Sequence, residues 1–318
     1  MRIIGAAEIE AAIAHRGMIE AMRQGFRSAI AVPATCNFDV SRPDQPHSAI
    51  AIAPAWTDFS ARGHSQHGYQ GVMMQTRTPA NAEAGMPVEI GLFVLLSGQT
   101  GAPLAMIDGR VLFQWRTAAV SALASQYLSR GDASRLLVLG SDAQAAYLAR
   151  AHAAVRPISE ILVWGDAPDA ADKLAHALRQ PGIHVSATRD LEGAVRGAHV
   201  ITCSASAGHE PIRADWLSPG THLDLPGTLS ETRRVKATVF HEARLFVDRR
   251  DPADGHGQEL GLAIEAGTVT KGDIAADLCE LARGEKSGRR FHDQTTLFFA
   301  NGSAAEDLAG AVHIFTQL

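Results

Sequence analysis

The stretch from Gly140 to Ala145 has the residue types and spacing of a phosphate-binding turn. A short apolar run, Leu136 to Leu139, precedes it, and apolar residues at helical spacing follow it. A strand, a glycine turn and a helix together offer free N–H groups and the positive end of a helix dipole to a pyrophosphate. The pattern therefore predicts the first turn of a dinucleotide-binding unit.

One position of this turn departs from the usual fingerprint, G-x-G-x-x-G or G-x-G-x-x-A. Gly140 and Ala145 match its first and last positions, but Asp142 replaces the middle glycine. A carboxylate there adds bulk and a charge that repels phosphate. Context must therefore decide whether the turn binds a nucleotide. The candidate cofactor-binding residues of the turn are Gly140, Ser141, Asp142, Ala143 and Gln144.

Two polar residues that follow predicted strands extend this candidate site. Asp166 comes after the second strand of the region, where dinucleotide-binding folds place a carboxylate on the adenosine ribose, and this would favour NAD over NADP. The alternative is that Asp166 caps the helix that starts at Ala167. Ser204 follows a strand that ends in Cys203, near the expected position of the nicotinamide ribose.

The elements that must position these residues change character at Arg135. From there strands and helices alternate, which predicts a parallel sheet covered by helices. Before it, residues 6–30 predict a helix broken near Gly17, and residues 33–70 predict a loop-rich region with one short apolar segment, AIAIAPAW. Further predictions are strands Gly71–Thr78, Val88–Leu96, Val239–His241 and Gln294–Phe299, and helices Ala118–Leu128, Ile274–Arg283 and Ala304–Phe315.

Composition excludes several classes of protein. The 318 residues suffice for two domains, and 46% hydrophobic with 20% charged residues is typical of a globular protein. A net charge of -5 argues against nucleic acid or an anionic membrane as a partner, and no apolar run reaches the roughly 18 residues of a membrane span. Acidic residues interrupt the first apolar run, so we expect no signal peptide.

The cysteines and histidines add two expectations. Three cysteines far apart in the sequence predict a reduced, cytoplasmic setting. His64 and His67 lie in a loop without a third ligand nearby, so we expect them to be solvated, and we predict no metal site.

The segment RTAAVSALASQYLSR, Arg116–Arg130, resembles the signature of the ornithine cyclodeaminase and mu-crystallin family. The resemblance covers most of the chain, because further segments follow in the family's order. These are SPGTHLDLPGTLSE at Ser218–Glu231, the helix at Gln258–Glu265, and the ending TLFFANGSAAEDLAGAVHIF.

The resemblance implies an α/β fold in which a Rossmann dinucleotide-binding domain, residues 129–293, is inserted into a discontinuous α+β substrate and dimerisation domain, residues 1–128 and 294–318. It also implies NAD or NADP as cofactor, a small amino-acid or imino-acid substrate, and a homodimer. Arg116 would bind the substrate carboxylate, with an interdomain salt bridge as the alternative. Thr117 would contact the cofactor or, alternatively, cap a helix.

The chain departs from the family at three site positions. Met73 stands where the family has a lysine, Leu229 where cyclodeaminases have an acid, and Thr35 where an arginine binds substrate. Strand alternation puts Arg77 on the same face as Met73, so Arg77 could supply the missing positive charge, or could simply be exposed. The candidate substrate-binding residues are therefore Arg116, Met73, Arg77 and Leu229.

These departures favour one function and leave an alternative. Ornithine cyclodeamination depends on acid–base groups that Met73 and Leu229 cannot provide. We therefore expect an NAD(P)-dependent oxidoreductase of an amino acid or cyclic imino acid with a divergent active site. The alternative is a non-catalytic member of the fold that binds a ligand or a nucleotide.

Overall fold

The computed structural model describes residues 1–43, 45–61, 68–204, 210–227, 234–250 and 258–318. In the described residues the strands are β1 Arg2–Ile4, β2 Ile30–Ala31, β3 Cys36–Val40, β4 Ser48–Thr57, β5 Tyr69–Arg77, β6 Glu89–Ser97, β7 Pro103–Asp108, β8 Arg135–Leu139, β9 Glu160–Trp164, β10 His184–Ala187, β11 Val200–Cys203, β12 His222–Pro226, β13 Arg244–Val247, β14 Ile274–Asp277 and β15 Thr296–Ala300. The helices are α1 Ala6–Ala12, α2 His15–Arg27, α3 Gly109–Leu128, α4 Ala143–Val155, α5 Pro168–Ala177, α6 Leu191–Gly197, α7 Ala237–Glu242, α8 Gln258–Glu265, α9 Leu278–Arg283 and α10 Ala304–Gln317.

The chain divides into two compact units. The first comprises Met1–Arg116 with Ser303–Leu318, and the second comprises Thr117–Gly302. The N-terminal helices, the strand β6 and the tail helix α10 thus fall in the first unit. Strand β15, which the sequence prediction places in that domain with the tail, lies in the second unit because it pairs between β12 and β13.

The first unit is a mostly antiparallel sheet with helices on one face. Its strand order is β1-β7-β6-β5-β4-β2, with β3 also on β4. Helix α10 packs on β4, β5 and β6, and α2 packs on α10. The apolar stripe of α2 is buried there, as Met18, Met22 and Phe26 show. Gly71 on β5 makes this packing possible, because a Cβ at Gly71 would lie 2.3 Å from Phe93 Cζ.

The second unit is a parallel sheet of order β10-β9-β8-β11-β12-β15-β13-β14. Leu136 and Val138 of β8 belong to the apolar core on one face, and Leu137 and Leu139 belong to the core on the other. Because both faces are buried, the strand is continuously apolar rather than alternating. The order reverses at β8, since β9 and β10 lie on one side of it and β11 on the other. This confirms the α/β fold with a Rossmann-type sheet.

Several local predictions were wrong. The predicted break in the N-terminal helix is present, but it lies at Ile13 and Ala14, between α1 and α2, and Gly17 lies inside α2, where a Cβ would stand 3.1 Å from His313 Nε2. Residues 33–70 include strand β4, with Pro54 inside it. Helix α3 begins at Gly109 rather than Ala118, and Asp108 accepts the Val111 N–H at 2.9 Å at its start. The predicted strand Val239–His241 lies within helix α7.

One predicted helix proved to be two elements. Residues 274–283 form strand β14 and then helix α9. Asp277 separates them, because its side chain accepts the Glu280 N–H while the Glu280 side chain accepts the Asp277 N–H. This reciprocal capping box starts a helix where apolar spacing alone suggested a continuous one.

Candidate active site

The turn after β8 requires glycine at its first position. Gly140 has a φ of 110, which a side chain strongly disfavours, and its N–H donates to the Trp164 carbonyl at 2.8 Å. Gly165, at the end of the neighbouring strand, packs closely against the turn, because a Cβ there would lie 3.0 Å from Ser141 Oγ. The turn is thus held tightly between the ends of β8 and β9.

Asp142 has a local role that the fingerprint comparison missed. It is the N-cap of α4, and its carboxylate accepts the Ala145 N–H at 2.9 Å. The charge therefore sits on the first turn of α4, where Ala143 and Gln144 also lie and where a helix offers N–H groups to an anion. The signal was available in the sequence, since aspartate is among the preferred N-cap residues.

Ser204 lies beside the turn. Strand β11 pairs with β8, and the Ser204 N–H donates to the Leu139 carbonyl at 2.8 Å. Ser204 is fully buried. Gly140 and Ser204 thus lie at the carboxyl ends of the two strands between which the strand order reverses. In open parallel sheets this switch point is where ligands bind.

Asp166 lies one strand away, after the end of β9, and is exposed. The capping alternative does not hold, because the N-cap of α5 is Ala167 and no side chain caps this helix. The Asp166 carboxylate therefore remains a candidate for the ribose hydroxyls.

Thr117 lies in the middle of α3, so the alternative that it caps a helix is wrong. Its side chain is buried, and its hydroxyl has no hydrogen-bond partner among the described residues. The residue that follows α3 is joined to the C-cap of α4, because Arg156 Nε donates to Ser129 Oγ at 2.7 Å.

The first unit contains a buried charge cluster around Arg116. Arg116 Nε donates to Asp307 Oδ1 at 2.8 Å, and Nη1 donates to Glu306 Oε2 at 3.3 Å. The guanidinium also lies 4.5 Å from the centre of the Phe113 ring. Burial raises the pKa of the Asp307 carboxyl, and Arg116 opposes that shift. We call Arg116, Glu306 and Asp307 the Arg116 cluster; the two acids were missed because apolar residues dominate the tail helix.

Met73 and Arg77 are not brought together. Met73 is buried, and its Sδ lies 3.5 Å from the position of a Cβ on Gly91. Arg77 is exposed, about 13 Å further along β5, and its Nε lies 3.8 Å from a Glu89 oxygen. Arg77 is therefore exposed, as the alternative predicted, and lies away from Met73.

Other candidate positions contribute less. Leu229, His64 and His67 lie outside the described residues. Thr35 is exposed. Within the described part of the chain, no group of three histidine, cysteine or acidic residues could hold a metal ion.

A buried ion pair fixes the chain near the carboxyl end of β12. Arg234 Nε donates to Glu259 Oε2 at 3.0 Å, and Arg234 Nη1 donates to the Pro226 carbonyl at 2.8 Å. Glu259 also accepts the N–H groups of Arg234 and Val235 at 2.7 and 2.9 Å. These bonds connect β12 to the start of α8 at the same edge of the sheet as Gly140.

Polar side chains are also buried beneath α4. His152 Nε2 lies 3.2 Å from Asp224 Oδ2, which accepts the Thr202 hydroxyl at 2.6 Å. His222 Nδ1 lies 2.9 Å from the Thr296 hydroxyl. Burial lowers the pKa of His222 well below its usual value, and the neighbouring His152 acts in the same direction. Asp224 thus belongs to the buried core of the sheet.

The fold and the switch-point residues define this chain as a protein of the dinucleotide-binding class. It belongs to the ornithine cyclodeaminase/mu-crystallin family, whose model matches residues 3–318. It is 32% identical over 308 residues to Protein SAR DEFICIENT 4 of Arabidopsis thaliana, covering 94% of this chain and 92% of that protein. It is also 32% identical over 301 residues to a Delta(1)-pyrroline-2-carboxylate reductase of Paracoccus denitrificans, covering 94% and 91%.

Two solved structures share the fold along the whole chain. The Delta(1)-pyrroline-2-carboxylate reductase of Thermococcus litoralis, solved with NADH and L-proline, has a TM-score of 0.88 at 24% identity and covers 100% of this chain and 97% of its own. An archaeal alanine dehydrogenase dimer with bound NAD has a TM-score of 0.86 at 25% identity and covers 100% and 95%. No described helix of the present chain is long and apolar enough to cross a membrane.

The buried His222 predicts a pH dependence of stability. Unfolded, this histidine takes up a proton below about pH 6.5, whereas folded it stays neutral to a lower pH, so acid favours the unfolded state. We expect the urea concentration at the unfolding midpoint to decrease as the pH is lowered from about 7.5 to about 5.5, and to decrease less in His222→Gln. The difference in the free energy of unfolding should change by up to about 1.4 kcal/mol per pH unit. His184→Gln, at an exposed histidine, is the control. An equally steep fall in His222→Gln would contradict the assignment.

Proposed function

We propose that this chain is an NAD(P)-dependent oxidoreductase of a small cyclic imino acid or amino acid, with Delta(1)-pyrroline-2-carboxylate as the first substrate to test. One observation carries the proposal: Gly140 and Ser204 lie at the carboxyl ends of the two strands between which the order of the parallel sheet reverses. The 32% identity to a reductase of this substrate, over 94% of the chain, supports the substrate class.

The residues at the switch point fit a dinucleotide. The first turn of α4 would receive the pyrophosphate, the exposed Asp166 would accept the adenosine ribose hydroxyls, and the Thr117 hydroxyl would gain a partner in the cofactor. A carboxylate at Asp166 repels the 2′-phosphate of NADP, which favours NAD. When bound, the nicotinamide supplies a hydride.

Arg116 is the proposed anchor of the substrate carboxylate. A guanidinium held on both sides by carboxylates, with a ring against its face, has one orientation, and this fixes the carbon next to the bound carboxylate. Reduction adds a hydride to the carbon of the protonated imine and gives the amine, whose nitrogen keeps the proton that it carried. The thioether of Met73 can neither give nor take that proton and leaves the neighbouring surface apolar.

Ornithine is not the proposed substrate. Ornithine cyclodeamination combines oxidation, ring closure, loss of ammonia and reduction, and it relies on acid–base groups worth about a hundredfold or more each. Met73 and Thr35 cannot act as such groups, and neither can Leu229. The proposed substrate has one carboxylate, an imine or amine nitrogen beside it, and an otherwise apolar remainder.

The first experiment separates the enzyme from a non-catalytic member of the fold. Calorimetric titration with NAD, NADH, NADP and NADPH is followed by an activity panel of cyclic imines, amino acids and L-ornithine. We expect NADH binding and imine reduction at an ordinary rate of about 1 per second or more, no proline from ornithine, and a loss of most activity in Arg116→Ala. Cofactor binding without turnover of any imine would identify the non-catalytic alternative.

Asp142 is expected to weaken dinucleotide binding through its charge. Asp142→Asn keeps an oxygen for the Ala145 N–H but removes the negative charge, so NADH should bind about threefold to tenfold more tightly. The matched control is Asp190→Asn, because Asp190 caps α6 through the Gly193 N–H at 2.9 Å in the same way. If Asp142→Asn binds NADH no more tightly than wild type does, the charge is not what limits affinity.

We also propose a homodimer formed through the outer face of the first sheet. Phe38, Trp56, Met74 and Ile90 are exposed there, and Met74 pairs with Ile52 in register on the same face. An apolar sheet face of this kind is typical of an interface. The likeness to an alanine dehydrogenase dimer supports a second copy as its occupant.

Light scattering after size exclusion tests the dimer. Met74→Glu should give a monomer, because it places a charge in the middle of the apolar face. Phe291→Glu, at an exposed phenylalanine of the second unit, should leave the mass unchanged. A wild-type monomer at micromolar concentration would contradict the proposal. A cytoplasmic location also belongs to the proposal, supported by three cysteines that form no disulfide.

A further inference from the structure

The Arg116 cluster contains more negative than positive charge. One guanidinium faces two carboxyl groups, and all three side chains are buried within the first unit. With both carboxyls ionised the cluster carries a net negative charge, and with one of them protonated it is neutral. In neither state does Arg116 offer surplus positive charge to an incoming anion.

This balance matters because the cluster is shielded from water. A solvated arginine attracts any carboxylate, but buried charges are screened much less, so Glu306 and Asp307 repel an anion that approaches Arg116. A ligand that also carries a cation avoids this cost, because its cation is attracted by Glu306 and Asp307 while its carboxylate is attracted by Arg116. In an α-imino or α-amino acid the two charges are on adjacent positions.

The fold holds the cluster in place. Glu306 and Asp307 lie in the first turn of α10, where the helix dipole stabilises negative charge. Helix α10 can approach α3 closely because Gly310 has no side chain; a Cβ there would lie 2.9 Å from Leu112 Cδ1 and 3.5 Å from Arg116 Cβ. The acids therefore cannot easily turn away from Arg116.

We propose that Glu306 and Asp307 set the charge selectivity of the substrate site, so that it takes a zwitterionic α-imino or α-amino acid and rejects a 2-oxo or 2-hydroxy acid. This inference rests on the proposed function, because it takes Arg116 as the residue that binds the substrate carboxylate. Glu306 and Asp307 act through Arg116 and are specificity-determining residues. They would explain how an arginine anchor avoids the many anionic acids of the same size.

Two ligands of the same shape test the proposal. L-Proline carries an ammonium in its ring, and tetrahydrofuran-2-carboxylate carries an ether oxygen at that position. Both are titrated against the full-length protein saturated with NADH, and both are tested as inhibitors of Delta(1)-pyrroline-2-carboxylate reduction. We expect wild type to prefer L-proline by about tenfold or more.

Variants of Glu306 and Asp307 test whether these two acids cause the preference for L-proline. Asp307→Asn should reduce it to about threefold or less by weakening proline and strengthening the ether, and Glu306→Gln should act in the same direction. Glu20→Gln, at an exposed acid on α2, is the control with the same chemical change and should keep the full preference. Binding of NADH, followed by its fluorescence, shows whether each variant is folded. If Asp307→Asn does not fold, the preference of Glu306→Gln tests the proposal.

The outcomes separate this inference from the proposed function. Equal binding of the two ligands by wild type, or an undiminished preference in the folded variants, overturns the inference and leaves the reductase intact. Binding of neither ligand, together with no reduction of any imine, overturns both.

Discussion

The structure depends on one topological constraint, the reversal of strand order at β8 in the parallel sheet. Parallel strands end at the same edge, and at a reversal the connections leave in opposite directions, so a crevice must open between the strand ends. Gly140 and Ser204 occupy those ends. The positive φ of Gly140 and the missing side chain of Gly165 let the chain turn tightly enough for α4 to begin there. The strand reversal and this tight turn together determine where the candidate site lies.

The sequence predicted the elements whose burial is regular. Strand β8 is apolar throughout because both of its faces are covered, and the alternation after Arg135 indicated the parallel sheet. Helix α3 was predicted too short because it is buried on nearly all sides, so no apolar periodicity marks where it begins. Strand β4 was missed because Pro54 usually interrupts strands.

The site was predicted less completely than the fold. The fingerprint identified the turn, but it treated Asp142 as an obstacle to phosphate, whereas its carboxylate also caps α4. The partners of Arg116 could not be found from spacing, because Glu306 and Asp307 lie far from it in the chain and become its neighbours only when α10 packs on the first sheet. Arg77 shares a strand with Met73, yet the length of strand between them separates their side chains.

The central claim is that the site transfers a hydride to an imine carbon. The most direct measurement is to supply NADH carrying deuterium at the transferable position, with Delta(1)-pyrroline-2-carboxylate, and to analyse the product by mass spectrometry. The account predicts proline with one deuterium on the carbon that bears the carboxylate, and a loss of most of it in Arg116→Ala. Binding of NADH with no deuterium in proline, or in the product of any cyclic imine tried, would contradict it.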